Sequence, residues 1–446
     1  VLIDSSIFKA YDIRGLYPQQ INSQIYRAIG VATGNVLKCK TAAVGRDMRL
    51  SSPELASALI EGLRLAGVNV TDIGLVSTDA LYFAVGKFGF ECGAMVTASH
   101  NPPQYNGLKM CKKDAVPLSA ETEMAEINRL VQTDSIALAA SEGNLTPKDI
   151  LADFIKHALS FVNISSIKPF KIVIDAGNGM AGKIIPELFK HLPCQLVPMY
   201  FELDGSFPNH LASPIEPENI VALQQRLVAE KADFGAAFDG DADRVFLLDE
   251  NARSLGGDMV TAMVARSLLA KNPGATIIYN LICSKAVPEV IEANGGVPVR
   301  TRVGHAIIKP IMKEKNAVFG GEHSGHFYFR DNWYADSGLI AFLVCLELLS
   351  KSKARLSELV TSFDKYVRSG EINSKVKDIP SKLNELINAF PNAHVDRIDG
   401  ATIDCGDFWF NVRPSNTEPL LRLNLEANTK ELMQDKTREV LAIIRR

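Results

Sequence analysis

Apolar and polar positions along the chain recur in one order three times. Thr41-Ala42-Ala43-Val44-Gly45 is an apolar run of strand length. A polar turn follows, then apolar residues at helical spacing from Pro53 to Leu65, then Gly67 and a second apolar run from Val68 to Ile73. From Lys171 the order returns: strand Ile172-Val173-Ile174, a glycine-rich turn, a helix from Ile184 to Phe189 and a strand from Gln195 to Met199. From Thr276 it returns again: strand Ile277-Ile278-Tyr279, a turn, a helix from Val287 to Ala293, Gly295-Gly296 and a strand from Val297 to Thr301. Each strand–helix–strand unit predicts parallel pairing through a right-handed crossover. Downstream of each unit come a helix-like stretch, a strand of small apolar residues and a sharply polar loop. The strands are Gly93 to Val96, Phe234 to Phe238 and Ala317 to Gly320; the loops are Thr97 to Pro102, Asp239 to Arg244 and Gly321 to His326. Open α/β sheets carry their chemistry at the carboxyl ends of strands, so three related domains are expected to deliver one loop each to a shared cleft.

Near Tyr366 the pattern changes. Gly370 to Asn373 and Ala401 to Asp404 read as strands of an α+β domain that encloses a fourth polar loop, Arg413 to Pro419. The expected architecture is α/β. Three topologically related domains with mixed sheets occupy 1–144, 145–253 and 254–365, and a C-terminal α+β domain occupies 366–446, all around a central cleft. A length of 446 residues suits that division.

Composition narrows the function classes. With 47% hydrophobic and 22% charged residues the chain is ordinary globular material. Forty-eight basic against 51 acidic side chains leave a net charge of −3, which gives no electrostatic case for nucleic acid or an anionic membrane. The most apolar window, Gly338 to Leu349, is too short to span a bilayer and contains Glu347, so it predicts a buried helix. Seven scattered cysteines form no C-x-x-C pair. The opening Val1-Leu2-Ile3-Asp4 lacks a basic segment followed by an apolar run. Reduced thiols, no signal peptide and a cytoplasmic location are expected.

The loop Asp239-Gly240-Asp241-Ala242-Asp243 sets three carboxylates at alternate positions after an apolar strand. Three hard oxygen ligands on one tight loop suit Mg²⁺. An EF-hand count fails, because its sixth position is Arg244, where the turn needs glycine, and the preceding segment reads as strand. Ser99 stands between a strand and a loop closed by Asn101-Pro102-Pro103, without the G-x-S-x-G elbow of a hydrolase nucleophile. His100 and Lys109 put cationic neighbours near that hydroxyl, which suits phosphoryl transfer; a turn-forming serine is the alternative. Arg413, Ser415, Asn416 and Thr417 gather a guanidinium fork, two hydroxyls and an amide into an anion cradle. Glu322, Ser324 and His326 offer an acceptor and donors of the kind that hold vicinal sugar hydroxyls, and a zinc reading of His323 and His326 lacks a third ligand. One motif points elsewhere. Gly177-Asn178-Gly179-Met180-Ala181-Gly182 follows a strand, opens a helix and precedes Glu202, the context of a dinucleotide site in an NAD-dependent oxidoreductase. Glycines that permit a tight turn and close packing are the competing explanation.

With the opening Phe8-Lys9-Ala10-Tyr11-Asp12-Ile13-Arg14-Gly15, these ordered motifs make the sequence resemble the α-D-phosphohexomutase superfamily over essentially the whole chain. The phosphomannomutase branch, with its dual phosphomannomutase/phosphoglucomutase enzymes, is the most similar. The resemblance implies an isomerase that interconverts mannose 6-phosphate and mannose 1-phosphate through a phosphoserine and a hexose 1,6-bisphosphate. Glucose phosphates are the alternative substrates. By it Ser99 is the phosphoserine and contributes to one Mg²⁺ with Asp239, Asp241 and Asp243. The implied catalytic set is Ser99, Arg14, His100, Lys109 and His305, with general acid/base duty open among Arg14, Lys109 and His305. Glu322 and Ser324 are implied to hold sugar hydroxyls, and Arg413, Ser415, Asn416 and Thr417 the phosphate that is not transferred. Tyr11, Arg244, Lys285 and His326 match further positions lining the cleft. A small sugar phosphate is the implied partner, the chain a monomer or homodimer, and supply of GDP-mannose the implied role. Two positions depart from the family pattern. Ala242 stands where glycine is common, which requires backbone angles there acceptable to a Cβ. His323 favours the mannose branch without excluding glucose.

Overall fold

Three sheets follow one another along the chain and repeat a single strand order in the computed structural model, which describes residues 3–9, 12–133, 136–415 and 420–446. In the first, Asn69–Leu75, Thr41–Arg46 and Cys92–Val96 lie side by side and parallel, and Tyr105–Lys112 returns antiparallel to Cys92–Val96. The second repeats this with Gln195–Met199, Lys171–Asp175, Phe234–Phe238 and the returning Val245–Leu248. The third does so with Val297–Thr301, Thr276–Asn280, Phe319–Gly321 and the returning Phe327–Phe329. The link between the third parallel strand and the returning one is, each time, one of the polar loops. The echo in the sequence is therefore a repeated topology, and all three loops leave the same end of equivalent strands. Edge strands extend the first two sheets. Ile13–Leu16 pairs antiparallel with Tyr105–Lys112, Leu145–Pro147 pairs parallel with Asn69–Leu75, and Ser254–Leu255 pairs with Val245–Leu248.

Local chemistry explains the crossover helices. Ser52–Leu65 carries Pro53 in its first turn, Glu54 at its positive end and Arg64 at its negative end. It buries Leu55, Leu59, Ile60 and Leu63. The apolar window forms the helix Gly338–Lys351, capped by Ser337 Oγ, which accepts from the Ile340 N–H at 3.1 Å. Its one acid, Glu347, is fully buried and tied to Lys271 at 2.9 Å and Lys351 at 2.8 Å. That helix sits in a continuous apolar core reaching from Phe83 beside the first sheet, through Ile174 and Phe238, to Phe319.

The C-terminal unit is an antiparallel sheet in the order Val367–Lys375, Leu420–Ala427, Phe408–Pro414, Ala401–Asp404, His394–Asp396. Helices Ile379–Ala389 and Lys430–Arg445 close its separate core around Leu386, Phe410 and Leu423. It meets the third unit through polar pairs, Lys285 with Asp404 and Arg300 with Asp396. Among the described residues no helix is long and apolar enough to cross a membrane.

Candidate active site

Loops leaving one end of three equivalent sheets, together with a hairpin of the fourth, enclose a cavity of about 520 Å³. Its wall includes Arg14, Ser99, Lys109, Arg244, His326 and Arg413. Side chains from all four units therefore face one space.

Ser99 is buried, and its backbone is left-handed, with φ of +49°. Its Oγ donates to Asp239 Oδ2 at 2.7 Å, accepts from Arg244 Nη2 at 2.9 Å and lies 3.3 Å from His100 Nδ1. The hydroxyl from the first sheet thus rests directly on the acid loop of the second. Thr78, at the start of the helix Thr78–Phe88, fastens the same junction by donating to Asp241 Oδ2 at 2.5 Å.

Asp239, Asp241 and Asp243 are buried and bring carboxylate oxygens within 4.8 Å of one another. Oδ1 of Asp241 and Oδ1 of Asp243 have no hydrogen-bond partner. Buried anionic oxygens without donors call for a cation. An all-oxygen, hard donor set is the kind that Mg²⁺ takes, so these residues fit the implied metal. Lys109 Nζ lies 2.7 Å from Asp241 Oδ2 and 2.6 Å from Asp243 Oδ2. Burial opposes its charge, but the surrounding carboxylates outweigh burial and hold it above the usual lysine value. Burial likewise works against ionised Asp241, and the Lys109 charge overcomes it, leaving Asp241 below the usual carboxylate range. Asp239 goes the other way: burial raises it to about 7 against the pull of Arg244.

Arg244 donates from Nε to Asp239 Oδ2 at 2.9 Å and from Nη2 to His100 Nδ1. Burial and the charges of Arg244 and Arg14 push His100 well below its ordinary value, so it is neutral near pH 7. His326 Nδ1 is 3.1 Å from Asp336 Oδ2 and 4.0 Å from Asp243 Oδ1. Burial disfavours its charge, but these carboxylates raise it above the ordinary value. Asp336 is in turn paired with Lys309 at 2.8 Å. Arg14, in register with Gly107 on the neighbouring strand, donates to Asn101 Oδ1 at 2.5 Å.

In the fourth unit Arg413 Nη2 donates to Glu371 Oε2 at 2.6 Å and Nη1 to Asn424 Oδ1 at 2.9 Å. Its cross-strand neighbour Arg422 donates to Ser415 Oγ at 3.2 Å, which doubles the guanidinium at the anion cradle. Asn416, Thr417 and Tyr11 lie outside the described residues. His305 opens the helix His305–Glu314, and its side chain is outside the description.

Three expected residues are not brought to this cavity. Lys285 Nζ donates to Asp404 Oδ1 at 2.9 Å and lines a separate cavity of about 200 Å³ between the third and fourth units. Glu322 is buried with its carboxylate turned into its own sheet, where it accepts from the Tyr328 hydroxyl, the Gly304 N–H at 3.1 Å and Asn280 Nδ2 at 3.3 Å. Ser324, half-buried in the same turn, is also absent from the cavity wall.

Ala242 has a φ of +58°, in the small left-handed region that glycine prefers and a Cβ tolerates at a cost, so the loop keeps a glycine-like geometry and carries the methyl group within it.

The glycine-rich turn serves packing. A Cβ at Gly179 would stand 2.6 Å from the Gly240 carbonyl, and one at Gly182 would stand 2.2 Å from that of Phe201. The N–H groups of Gly177, Asn178, Gly179, Met180 and Gly182 all bond within the protein, to Asp175, Tyr200, Ala176, Gly240 and Gly179. With five of the turn's six N–H groups taken, little of it is left to cradle a dinucleotide pyrophosphate.

Sequence reasoning passed over Arg49, Lys309, Asp336 and Arg422. Arg49 stands in the polar turn that matches the glycine-rich turn of the second unit, and Arg422 lies one strand across from Arg413. Those positions were the available signals.

Models of the phosphoglucomutase/phosphomannomutase family match the chain in order: alpha/beta/alpha domain I at residues 5–137, domain II at 152–256, domain III at 256–366 and the C-terminal domain at 371–443. A phosphomannomutase of Vibrio cholerae serotype O1 is 40% identical over 454 residues, covering 98% of both chains. A phosphomannomutase of Escherichia coli K12 is 39% identical over 448 residues, again 98% of both. Among solved structures, a phosphoglucomutase/phosphomannomutase family protein from Burkholderia thailandensis has a TM-score of 0.90 at 34% identity, covering 99% of this chain and 98% of its own.

Proposed function

The chain belongs to the phosphoglucomutase/phosphomannomutase family of α-D-phosphohexomutases, and on that premise we propose that it interconverts mannose 6-phosphate and mannose 1-phosphate, with glucose phosphates as a second substrate pair. One observation carries the reading: the Ser99 hydroxyl is held at 2.7 Å from Asp239 and 2.9 Å from Arg244, beside an acid loop in which one oxygen each of Asp241 and Asp243 lacks a donor, and among cations that face a cavity. Phospho-Ser99 gives its phosphoryl group to the free sugar hydroxyl. The Oγ–P bond breaks, a sugar O–P bond forms, and the hydroxyl proton passes to a base. The hexose 1,6-bisphosphate turns over in the cleft and returns its other phosphate to Ser99.

Such transfer is chiefly positioning and charge neutralisation. Arg244 faces the transferring group, and neutral His100 accepts from its guanidinium and fixes its direction. Lys109, surrounded by carboxylates, stays charged as a counter-charge. Mg²⁺, held by Ser99, Asp239, Asp241 and Asp243, would supply Lewis-acid withdrawal of charge from the phosphoserine. Arg413, Arg422 and Ser415, with Asn416 and Thr417, hold the phosphate that stays. Glu322 and Ser324 suit mid-ring hydroxyls, the Glu322 carboxylate exchanging the Tyr328 hydroxyl for those of the sugar, and Lys285 is taken to line the cleft with them. Proton transfer falls to Arg14, Lys109 or His305. The reading also takes the four units at 1–144, 145–253, 254–365 and 366–446. It further takes one Mg²⁺ per site, a cytoplasmic monomer or homodimer, and a role in supplying GDP-mannose.

A coupled assay with mannose 1-phosphate and glucose 1-phosphate, run on the wild type and Ser99→Ala, tests this. Turnover of the mannose pair that disappears in Ser99→Ala is expected. Mg²⁺-dependent binding of the sugar phosphate with no interconversion by the wild type would leave a binding protein and overturn the proposal.

A further inference from the structure

A guanidinium with only 1% exposure lies directly against the serine loop. Arg49 Nη1 donates to the carbonyls of Pro102 and Tyr105, both at 2.9 Å, and Nη2 to those of Ser99 at 2.8 Å and Asn101 at 2.5 Å. Asp47 meets its charge, with Oδ2 3.3 Å from Nε. Asp47 is itself fixed by Ser52 Oγ at 2.5 Å and the Arg49 N–H at 3.0 Å. Phe207 of the second unit covers the guanidinium face with its ring centroid 5.1 Å away. The backbone approaches closely there too: a Cβ at Gly205 would stand 2.5 Å from Arg49 Cα.

The grip has a specific object. Ser99 is not glycine, yet its φ is +49°, a conformation that persists only where the surroundings over-determine it. Two ties act on its peptide groups. Thr97 Oγ1 accepts from the Ser99 N–H at 2.9 Å, and Arg49 holds the Ser99 carbonyl. That carbonyl also lies close to Gly240, where a Cβ would be 2.5 Å from the oxygen. Held by a guanidinium and packed close to a glycine, the peptide aims Oγ at Asp239 and Arg244. A lysine presents a point charge in place of a rigid fork, so it does not reproduce four divergent carbonyl bonds.

We propose that Arg49 is a positioning residue for phosphoryl transfer, its buried guanidinium holding the Ser99 peptide in the left-handed conformation that presents Oγ to the acid loop. The inference rests on the mutase reading of Ser99. Arg49→Lys in the full chain tests it, with intact-mass measurement of the rate at which glucose 1,6-bisphosphate phosphorylates Ser99, alongside kcat, KM and thermal melting. Both kcat and the phosphorylation rate are expected to fall about 10²-fold, with KM for the sugar phosphate within about threefold. Thr97→Val, which removes no charge but takes away the other tie to Ser99 together with the threonine's bond to Asp47, the counter-charge of Arg49, is expected to give the same kcat-only signature at about tenfold; wild-type kcat in that variant would overturn the proposal if Arg49→Lys does not fold. Wild-type rates in folded Arg49→Lys, or a loss that vanishes once activity is normalised to folded protein, would overturn the proposal. A wild type that accepts no phosphate on Ser99 would instead overturn the mutase reading on which it stands.

Discussion

Gly240→Ala adds a single methyl group at the contact between the serine loop and the acid loop. It would stand 2.5 Å from the Ser99 carbonyl oxygen and 3.6 Å from Ala212 Cβ. Carbon–oxygen contacts near 3.3 Å are tolerated, so roughly 0.8 Å of separation must be found. Movement of the carbonyl disturbs its bond from Arg49 Nη2, now 2.8 Å. Whichever loop yields, the Ser99 Oγ to Asp239 Oδ2 contact, now 2.7 Å, opens toward about 3.5 Å, past the range of a hydrogen bond. A displacement near 1 Å at a reacting group costs about 10²-fold in rate, and overpacking costs about 1–3 kcal/mol of stability. Gly235→Ala, in the strand leading into the same loop, is the control, since its nearest neighbours lie at an ordinary 3.5 Å. Steady-state kcat and Ser99 phosphorylation by glucose 1,6-bisphosphate, measured on both variants, read the difference. Wild-type kcat and an unchanged melt for Gly240→Ala would refute the claim that these loops are fitted to each other.

Other substitutions probe separate parts of the account. Lys309→Met strips one of two cationic partners from buried Asp336, which sits well below the usual carboxylate range because Lys309 and His326 outweigh its burial; with His326 still in place the loss should be about 3 kcal/mol at neutral pH, the low end for a broken buried pair. A depressed carboxyl contributes stability above its unfolded value and loses it as pH falls through the folded one. The gap between wild-type and variant urea midpoints should therefore be widest near pH 7 and shrink below about pH 4; a gap that widens in acid contradicts the pairing. Ala242→Gly relieves about 1–2 kcal/mol of left-handed strain but forfeits about 0.8 kcal/mol of methyl burial and loosens the unfolded chain by about 0.4–1 kcal/mol. A midpoint within about 1 kcal/mol of wild type is expected, and a larger shift in either direction would count against this balance. On the proposed reading Arg413→Gln removes charge-assisted bonds to the phosphate that stays, about 1.5–3 kcal/mol and equal before and during transfer, so KM should rise about 10- to 100-fold with little change in kcat. Treatment with a chelator should abolish turnover and added Mg²⁺ restore it; full activity after exhaustive chelation would remove the metal from the account.

Legibility in the sequence followed how local each signal was. Phe234–Phe238 and Gln195–Met199 have the bounds their apolar runs predict, and the loops at Ser99 and Asp239 stand together because each leaves the same end of a repeated strand. Lys285 went elsewhere because its partner, Asp404, comes from another unit 119 positions away, a separation no periodicity reports. The motif at Glu322 suits sugar hydroxyls, and its tie to Tyr328 in the returning strand is a contact that the motif does not announce. Arg49 was invisible for a different reason: its acceptors are backbone carbonyls, which every residue has, so no side-chain pattern marks them. The glycine-rich turn was ambiguous until Gly240 and Phe201 showed what its missing side chains make room for.

The most direct test of a phosphoryl-carrying serine at the meeting point of four units is peptide mapping after brief exposure to hexose 1,6-bisphosphate labelled in its phosphates. The label should sit on Ser99 alone and should leave with the product when unlabelled mannose 6-phosphate is added. Full mutase turnover with the label on another residue, or with none on the chain, would contradict the account.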